Sequence, residues 1–176
     1  NHFEAAIKLK TKPFLEHLIL QLKSHEIEEI TILLGYMSDK VVEYFQDGSE
    51  WNLKIQYSIG EIDDRTGTRI RNAQKYIKDN FLLLYCDNYC PLDIKSLNSF
   101  FESEDVEAAV AVYNNNFKVT KNNVLVENNK LIKYDKSRSD SNLNGVEIGY
   151  FILNKKIFDY MPDYNFSFEE VVISEL

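Results

Sequence analysis

The stretch "FLLLYCDNYCPLDI" (Phe81–Ile94) decides the fold. Its apolar run, bounded by polar turn residues, reads as a strand buried on both faces. It stops at Cys86-Asp87-Asn88, and Asp93 then supplies a cap for a helix over Ile94–Ser103. A carboxylate at the end of a buried strand has two readings. In an α/β sheet, ligands gather at the carboxyl ends of the strands, and a hard cation such as Mg²⁺ takes one or two carboxylates together with substrate phosphates. The other reading is that Asp87 caps the following turn.

Working outward, helices and strands alternate. Lys12-Pro13-Phe14-Leu15 opens a helix with Pro at its first position, and Leu15, Leu18 and Leu22 recur at helical spacing. "EEITILLGY" (Glu28–Tyr36) is a strand. Ser38 caps a helix to about Gln46, and "LKIQYSI" (Leu53–Ile59) is a second strand. A polar loop, "EIDDRTGT" (Glu61–Thr68), leads to a helix over Arg69–Lys78. "VEAAVAVY" (Val106–Tyr113) follows as another strand.

The rhythm then changes. "FKVTKNNVLVENNKLIKYD" (Phe117–Asp135) alternates in short runs broken at Asn122-Asn123 and Asn128-Asn129, turn residues that tolerate positive φ. "VEIGYFILN" (Val146–Asn154) is a strand, and a last helix starts near Ser167. The expected fold is α/β and Rossmann-like. It has a mostly parallel twisted sheet with helices on both faces and an antiparallel hairpin appendage.

With 176 residues and 44% hydrophobic content, the chain can bury one core, and residues 1–176 read as a single domain. A net charge of −8 excludes a basic nucleic-acid surface but leaves a nucleotide substrate open. No apolar run approaches the roughly 20 residues of a membrane span, so no membrane partner is expected. Two cysteines, Cys86 and Cys90, make no disulfide framework, and the cytoplasm is the expected compartment. Both are expected as buried thiols, because His2, His17 and His25 offer no spacing that completes a zinc site.

Other residues suited to a phosphate or sugar ligand are scattered. Gly67 and Thr68 lie in a loop entering a helix, where backbone N–H groups can meet an anion or a base edge. Arg65, Arg69 and Arg71 form a basic cluster in an acidic chain, either a phosphate patch or solvated charge. Asp135 and Lys136 follow a strand, and Lys136 could meet a phosphate as a point charge or make an exposed ion pair. Glu147 opens an apolar strand, where its carboxylate could hold a diol or an arginine.

In their order along the chain, these segments resemble the sugar-phosphate nucleotidyltransferase family. "KPFLEHLILQLKSHEIEEITILLGYMSDKVVEYFQDGS" is similar to its lysine-proline helix, second strand and next helix. "TGTRIRNA" falls at its glycine-threonine loop and "LLLYCDN" at the strand ending in the metal aspartate. "IKYDKS" falls at its glutamate-lysine motif, "VEIGYFIL" at its asparagine-any-glycine strand, and "FSFEEVV" at a late helix. The likeness runs from about Lys12 to Leu176, and "YCDNY" looks most like the mannose- or heptose-1-phosphate guanylyltransferase branch.

The resemblance implies a sugar-1-phosphate attacking the α-phosphorus of an NTP, with GTP favoured and pyrophosphate leaving. Asp87 would bind Mg²⁺ and, with Lys136, carry the catalysis. Gly67 and Thr68 would pass close to the base, Lys136 would contact the sugar phosphate, and Asp135 and Glu147 would hold sugar hydroxyls. The family's Gly-rich loop is absent before Pro13, and its second metal aspartate is absent after the late helix. Cys86 replaces a glycine and Asp135 a glutamate. The domain is therefore expected to be truncated at both ends and to turn over poorly alone, with an unpaired sheet edge that invites homo-oligomers. The alternative is a catalytically inactive relative that binds a nucleotide sugar or a partner subunit in a regulatory role. A third reading is an unrelated α/β binding domain in which Asp87 is only a cap.

Overall fold

Residues 8–9 and 12–174 are described in the computed structural model. A short antiparallel pair, β1 (Lys8–Leu9) and β2 (Lys12–Pro13), leads into α1 (Phe14–Ser24). Pro13 is therefore the residue before the helix rather than its first turn. Then come β3 (Glu29–Leu34), α2 (Ser38–Phe45) and β4 (Lys54–Ile59). Ser38 is the first residue of α2 rather than its cap, and Met37 precedes it with φ 56°. α3 (Thr66–Asn72) starts three residues earlier than the periodicity predicts and passes into a 3-10 turn at Gln74–Tyr76. After β5 (Asn80–Leu84), α4 (Ile94–Ser103) begins where expected. Asp93 Oδ1 accepts from the N–H groups of Lys95 at 3.1 Å and Ser96 at 3.2 Å. β6 (Ala108–Tyr113), the hairpin β7 (Val124–Glu127) and β8 (Lys130–Tyr134), β9 (Val146–Asn154) and α5 (Phe168–Val171) complete the order.

The sheet is of the expected α/β class and mixed in its pairing. β3 and β4 pair in parallel, but β5 and β6 both pair antiparallel to β9, in the order β5-β9-β6. The physical reason is the β7–β8 hairpin, which reverses the chain before β9 enters between two strands joined by the α4 crossover. The hairpin turn is the Asn128-Asn129 pair, both at positive φ, as the sequence predicts. Asn123, expected in a turn, is instead buried and accepts from the Glu147 N–H at 2.8 Å.

The two sheets lie side by side in one layer, because they share apolar clusters. On one face, Leu33 of β3 and Phe81 and Leu83 of β5 pack with Ile70, Phe151, Phe166, Phe168 and Val172. On the other, Ile30 and Ile32 of β3 and Leu84 of β5 pack with Leu15, Leu18, Ile19 and Phe45. Alternate residues of each strand thus feed opposite cores, which requires helices on both faces. Among the described residues, β3 is bonded only to β4 and β5 only to β9, so each has an open edge. No described helix is long and apolar enough to cross a membrane.

Candidate active site

The site grows from a bulge in β9. β6 advances from Val110 to Val112 while β9 runs from Phe151 back to Glu147, so β9 carries extra residues around Gly149. Gly149 has φ 77°, and a Cβ there would lie 3.1 Å from Asn88 Nδ2 and 3.2 Å from Tyr85 Cδ2. Glycine is therefore required on two counts, conformation and close approach. The bulge bends the strand and re-aims its side chains. The Gly149 N–H donates to the Glu147 carboxylate, and Gly149 O accepts from the Tyr85 N–H at 3.1 Å.

Asp87 sits exposed in the turn after β5. Its neighbours fix that turn. Asn88 Nδ2 donates to Ile148 O at 3.3 Å, and the Cys90 N–H donates to Tyr150 Oη at 3.2 Å. The Tyr150 hydroxyl donates to Gln21 Oε1 at 3.1 Å, and Gln21 Nε2 donates to Cys90 O. α1 and β9 thus clamp the loop that carries Asp87. Cys86 is exposed and Cys90 half-buried, correcting the expectation of two buried thiols. They flank a surface turn, where the apolar run has already ended.

Burial pushes Glu147 up to about 7, helped by the charges of Glu169 and Asp87 and opposed by the Gly149 N–H. Glu169 moves the other way. Burial alone would raise it, but hydrogen bonds from Ser167 and Thr66 hold it below the usual range. The Tyr85 hydroxyl, just before the Asp87 turn, is buried and pushed far up by burial and the Glu169 charge. Tyr134 is pushed up to about 12 by burial, then by Glu169 and Glu147. Asp87, Glu147, Glu169, Tyr85 and Tyr134 therefore share one electrostatic neighbourhood. Among the described residues, no group of three or more His, Cys, Asp and Glu could hold a metal by itself.

Lys136 pairs with α5, its Nζ lying 3.3 Å from Glu170 Oε1. Asp135 bonds within its own loop. Its oxygens accept from the N–H groups of Ser137 at 2.9 Å, Ser139 at 3.0 Å and Asp140 at 3.1 Å, and from Ser137 Oγ at 2.5 Å. These bonds, that of Ser137 first, hold its carboxyl far below the usual range. Asp135 organises the loop that presents Lys136.

Gly67 and Thr68 are buried. The Gly67 N–H donates to Phe166 O at 3.1 Å, and the Thr68 hydroxyl donates to Asn165 Oδ1 at 3.0 Å while accepting from the Phe166 N–H at 3.1 Å. Both residues stitch α3 to the segment before α5. The arginines divide similarly. Arg69 donates to the carbonyls of Leu34, Glu61, Ile62 and Asp64, closing the ends of β3 and β4. Arg71 donates to Pro162 O and lies over the Phe166 ring. Arg65 alone of the three pairs with a carboxylate, Glu170. The sequence reading missed Tyr85, Gly149 and Glu169 as site residues. The Gly in "VEIGY" and the first-turn acids of "FSFEE" were the available signals.

A family model described as nucleotidyl transferase matches residues 4–167. The chain belongs to this family. Among its relatives is a protein named "Probable glucose-1-phosphate cytidylyltransferase" from Bacillus subtilis (strain 168), 31% identical over 190 residues, covering 94% of this chain and 72% of that protein. Another is the D-glycero-alpha-D-manno-heptose 1-phosphate guanylyltransferase of Campylobacter jejuni, 28% identical over 165 residues, covering 92% of this chain and 72% of that one. These relatives support the sugar-phosphate branch of the nucleotidyl transferase family. The fold matches the inositol-1-phosphate CTP transferase of T. maritima with a TM-score of 0.80 at 14% identity, covering 98% of this chain and 71% of that one.

Proposed function

We propose that this nucleotidyl transferase chain carries the core of an enzyme that joins an NTP to a sugar-1-phosphate, releasing pyrophosphate, with GTP the favoured nucleotide. The observation that carries the reading is the exposed Asp87 in the turn after β5, clamped beside the β9 bulge by the Asn88 bond to Ile148. The guanylyltransferase relative supports the choice of base.

An exposed single carboxylate fits a cation that shares its coordination with substrate phosphates better than one caged by protein. Mg²⁺ bound there would neutralise phosphate charge, with Asp87 as its protein ligand. A sugar-1-phosphate oxygen attacks the α-phosphorus, and the bond from that phosphorus to the oxygen bridging to the β-phosphate breaks. Positioning and charge neutralisation supply the rate. Lys136 holds a phosphate as a point charge. Glu147, pushed up to about 7, exists near neutrality in both protonation states and can donate to or accept from a sugar hydroxyl. The neighbouring Glu169 accepts hydrogen bonds as an anion. The setting is cytoplasmic.

A second reading, a catalytically inactive relative that binds a nucleotide sugar in a regulatory role, draws support from Gly67. Its N–H is taken by Phe166 O and so is closed to a base. One experiment separates the two: pyrophosphate release from GTP, CTP, UTP or dTTP with a panel of sugar-1-phosphates and Mg²⁺, using the protein from its natural reading frame. Turnover with one pair, GTP foremost, fits the first reading. Binding of a nucleotide sugar without turnover fits the second. Neither turnover nor binding overturns both.

A further inference from the structure

Glu170, in the first turn of α5, sits between two cations. Its Oε2 lies 2.5 Å from an Arg65 terminal nitrogen and its Oε1 lies 3.3 Å from Lys136 Nζ. The three side chains are 41%, 49% and 56% exposed for Glu170, Arg65 and Lys136. Both cations help to hold the Glu170 carboxyl below its usual range, Lys136 more than Arg65. This carboxylate is where an anion would be expected if Arg65 and Lys136 acted together.

We propose that Arg65 is a second phosphate-holding residue beside Lys136, and that Glu170 is an internal anion occupying the phosphate position until substrate displaces it. The inference rests on the reading above that Lys136 meets a substrate phosphate. Three features support it. First, Arg65 differs from its neighbours: the guanidinium groups of Arg69 and Arg71 are spent on backbone carbonyls, whereas that of Arg65 is half exposed and can swing. Its backbone stays fixed, because the Arg65 N–H donates to Asn165 Oδ1 at 2.8 Å. Second, Lys136 is presented by a loop that Asp135 has already ordered, so its approach costs little further entropy. Third, exposed ion pairs are weak, whereas a phosphate offers more charge and a fork that matches guanidinium bidentately. Exchange of carboxylate for phosphate is therefore downhill. Glu169 stays behind, held by Thr66 and Ser167. The displaced Glu170 side chain, on the exposed side of α5, turns to solvent.

The test is calorimetric titration of wild type, Glu170→Gln, Arg65→Gln and the double variant with inorganic pyrophosphate and, separately, with glucose-1-phosphate. Glu102→Gln, on the exposed side of α4, controls for the change in net charge. Glu170→Gln is expected to bind one of the two probes about three- to tenfold more tightly, a gain that shrinks with added salt. Arg65→Gln should bind it more weakly, and the double variant should lose the gain. The probe that responds identifies whether nucleotide or sugar phosphate takes the place. Unchanged or weaker binding by Glu170→Gln overturns the proposal. So does an equal gain in Glu102→Gln, or a gain that persists without Arg65. If the wild type turns over substrates yet Glu170→Gln changes nothing, only the latch fails. If no form binds either probe and none turns over, the functional reading fails with it.

Discussion

The charge of Asp87, in the turn after β5, helps to raise the pKa of Glu147 in β9, although the two residues are 60 positions apart. The folded state holds the Glu147 proton more tightly than the unfolded chain does. Its contribution to stability is therefore greatest below about 4.5 and is lost as pH rises toward about 7. Glu147→Gln should remove that dependence. Urea unfolding of the two proteins across this window should show the variant gaining on wild type by roughly 1–3 kcal/mol at neutral pH. Parallel curves would mean that Glu147 is not buried as described.

Gly67 gives a second prediction. A Cβ there would lie 2.1 Å from Phe166 Cε2, and Phe166 is 1% exposed. Overpacking of this kind costs about 1–3 kcal/mol. Gly67→Ala should destabilise the fold by at least that much, seen as a lower unfolding midpoint, and any loss of ligand binding should track the loss of folded protein. A variant of wild-type stability that fails to bind nucleotide would instead make Gly67 a ligand-facing residue.

Thr66 joins two segments through one hydroxyl. It donates to Glu169 Oε2 at 3.0 Å and accepts from the Phe168 N–H at 3.0 Å. Thr66→Ala leaves a part-buried N–H without its partner and should destabilise by about 1–3 kcal/mol, while Thr66→Ser should cost much less. Equal stability of the two variants in thermal melts would remove the hydroxyl from the account.

The sheet makes a prediction about exchange. Among the described residues, β9 is bonded on both sides, while β3 and β5 are each bonded on one. Amide hydrogen exchange should be slowest in Tyr150–Leu153 and faster in β3 and β5, since open edges exchange through smaller fluctuations. Protection in β3 equal to that in β9 would show that its free edge is covered in solution.

These contrasts mark what the sequence made legible. The α/β class, the Asp93 cap and the Asn128-Asn129 turn follow from local chemistry, and the structure has them in place. The orientation of β9 does not, because an apolar strand reads the same in either direction and only the preceding hairpin reverses it. Asp87 stands out in the sequence because a carboxylate that ends an apolar run is anomalous. The acids of "FSFEE" are a fainter signal, because two acids in the first turn of a helix look like ordinary dipole partners. Asp135 and Thr68 have the right chemistry for ligands, but their polar atoms are consumed by bonds to residues nearby in the fold, which composition and spacing do not reveal.

Asp87, in the turn after β5, is proposed to hold a metal shared with nucleotide phosphates. Mn²⁺ can stand in for Mg²⁺, and its free form can be counted by electron paramagnetic resonance during titration of the protein with and without GTP. Wild type should take up Mn²⁺ chiefly when GTP is present, and Asp87→Asn, folded as judged by circular dichroism, should bind the Mn²⁺–GTP pair about tenfold or more weakly. Equal uptake by Asp87→Asn and wild type would contradict the claim and leave Asp87 as the cap of a turn.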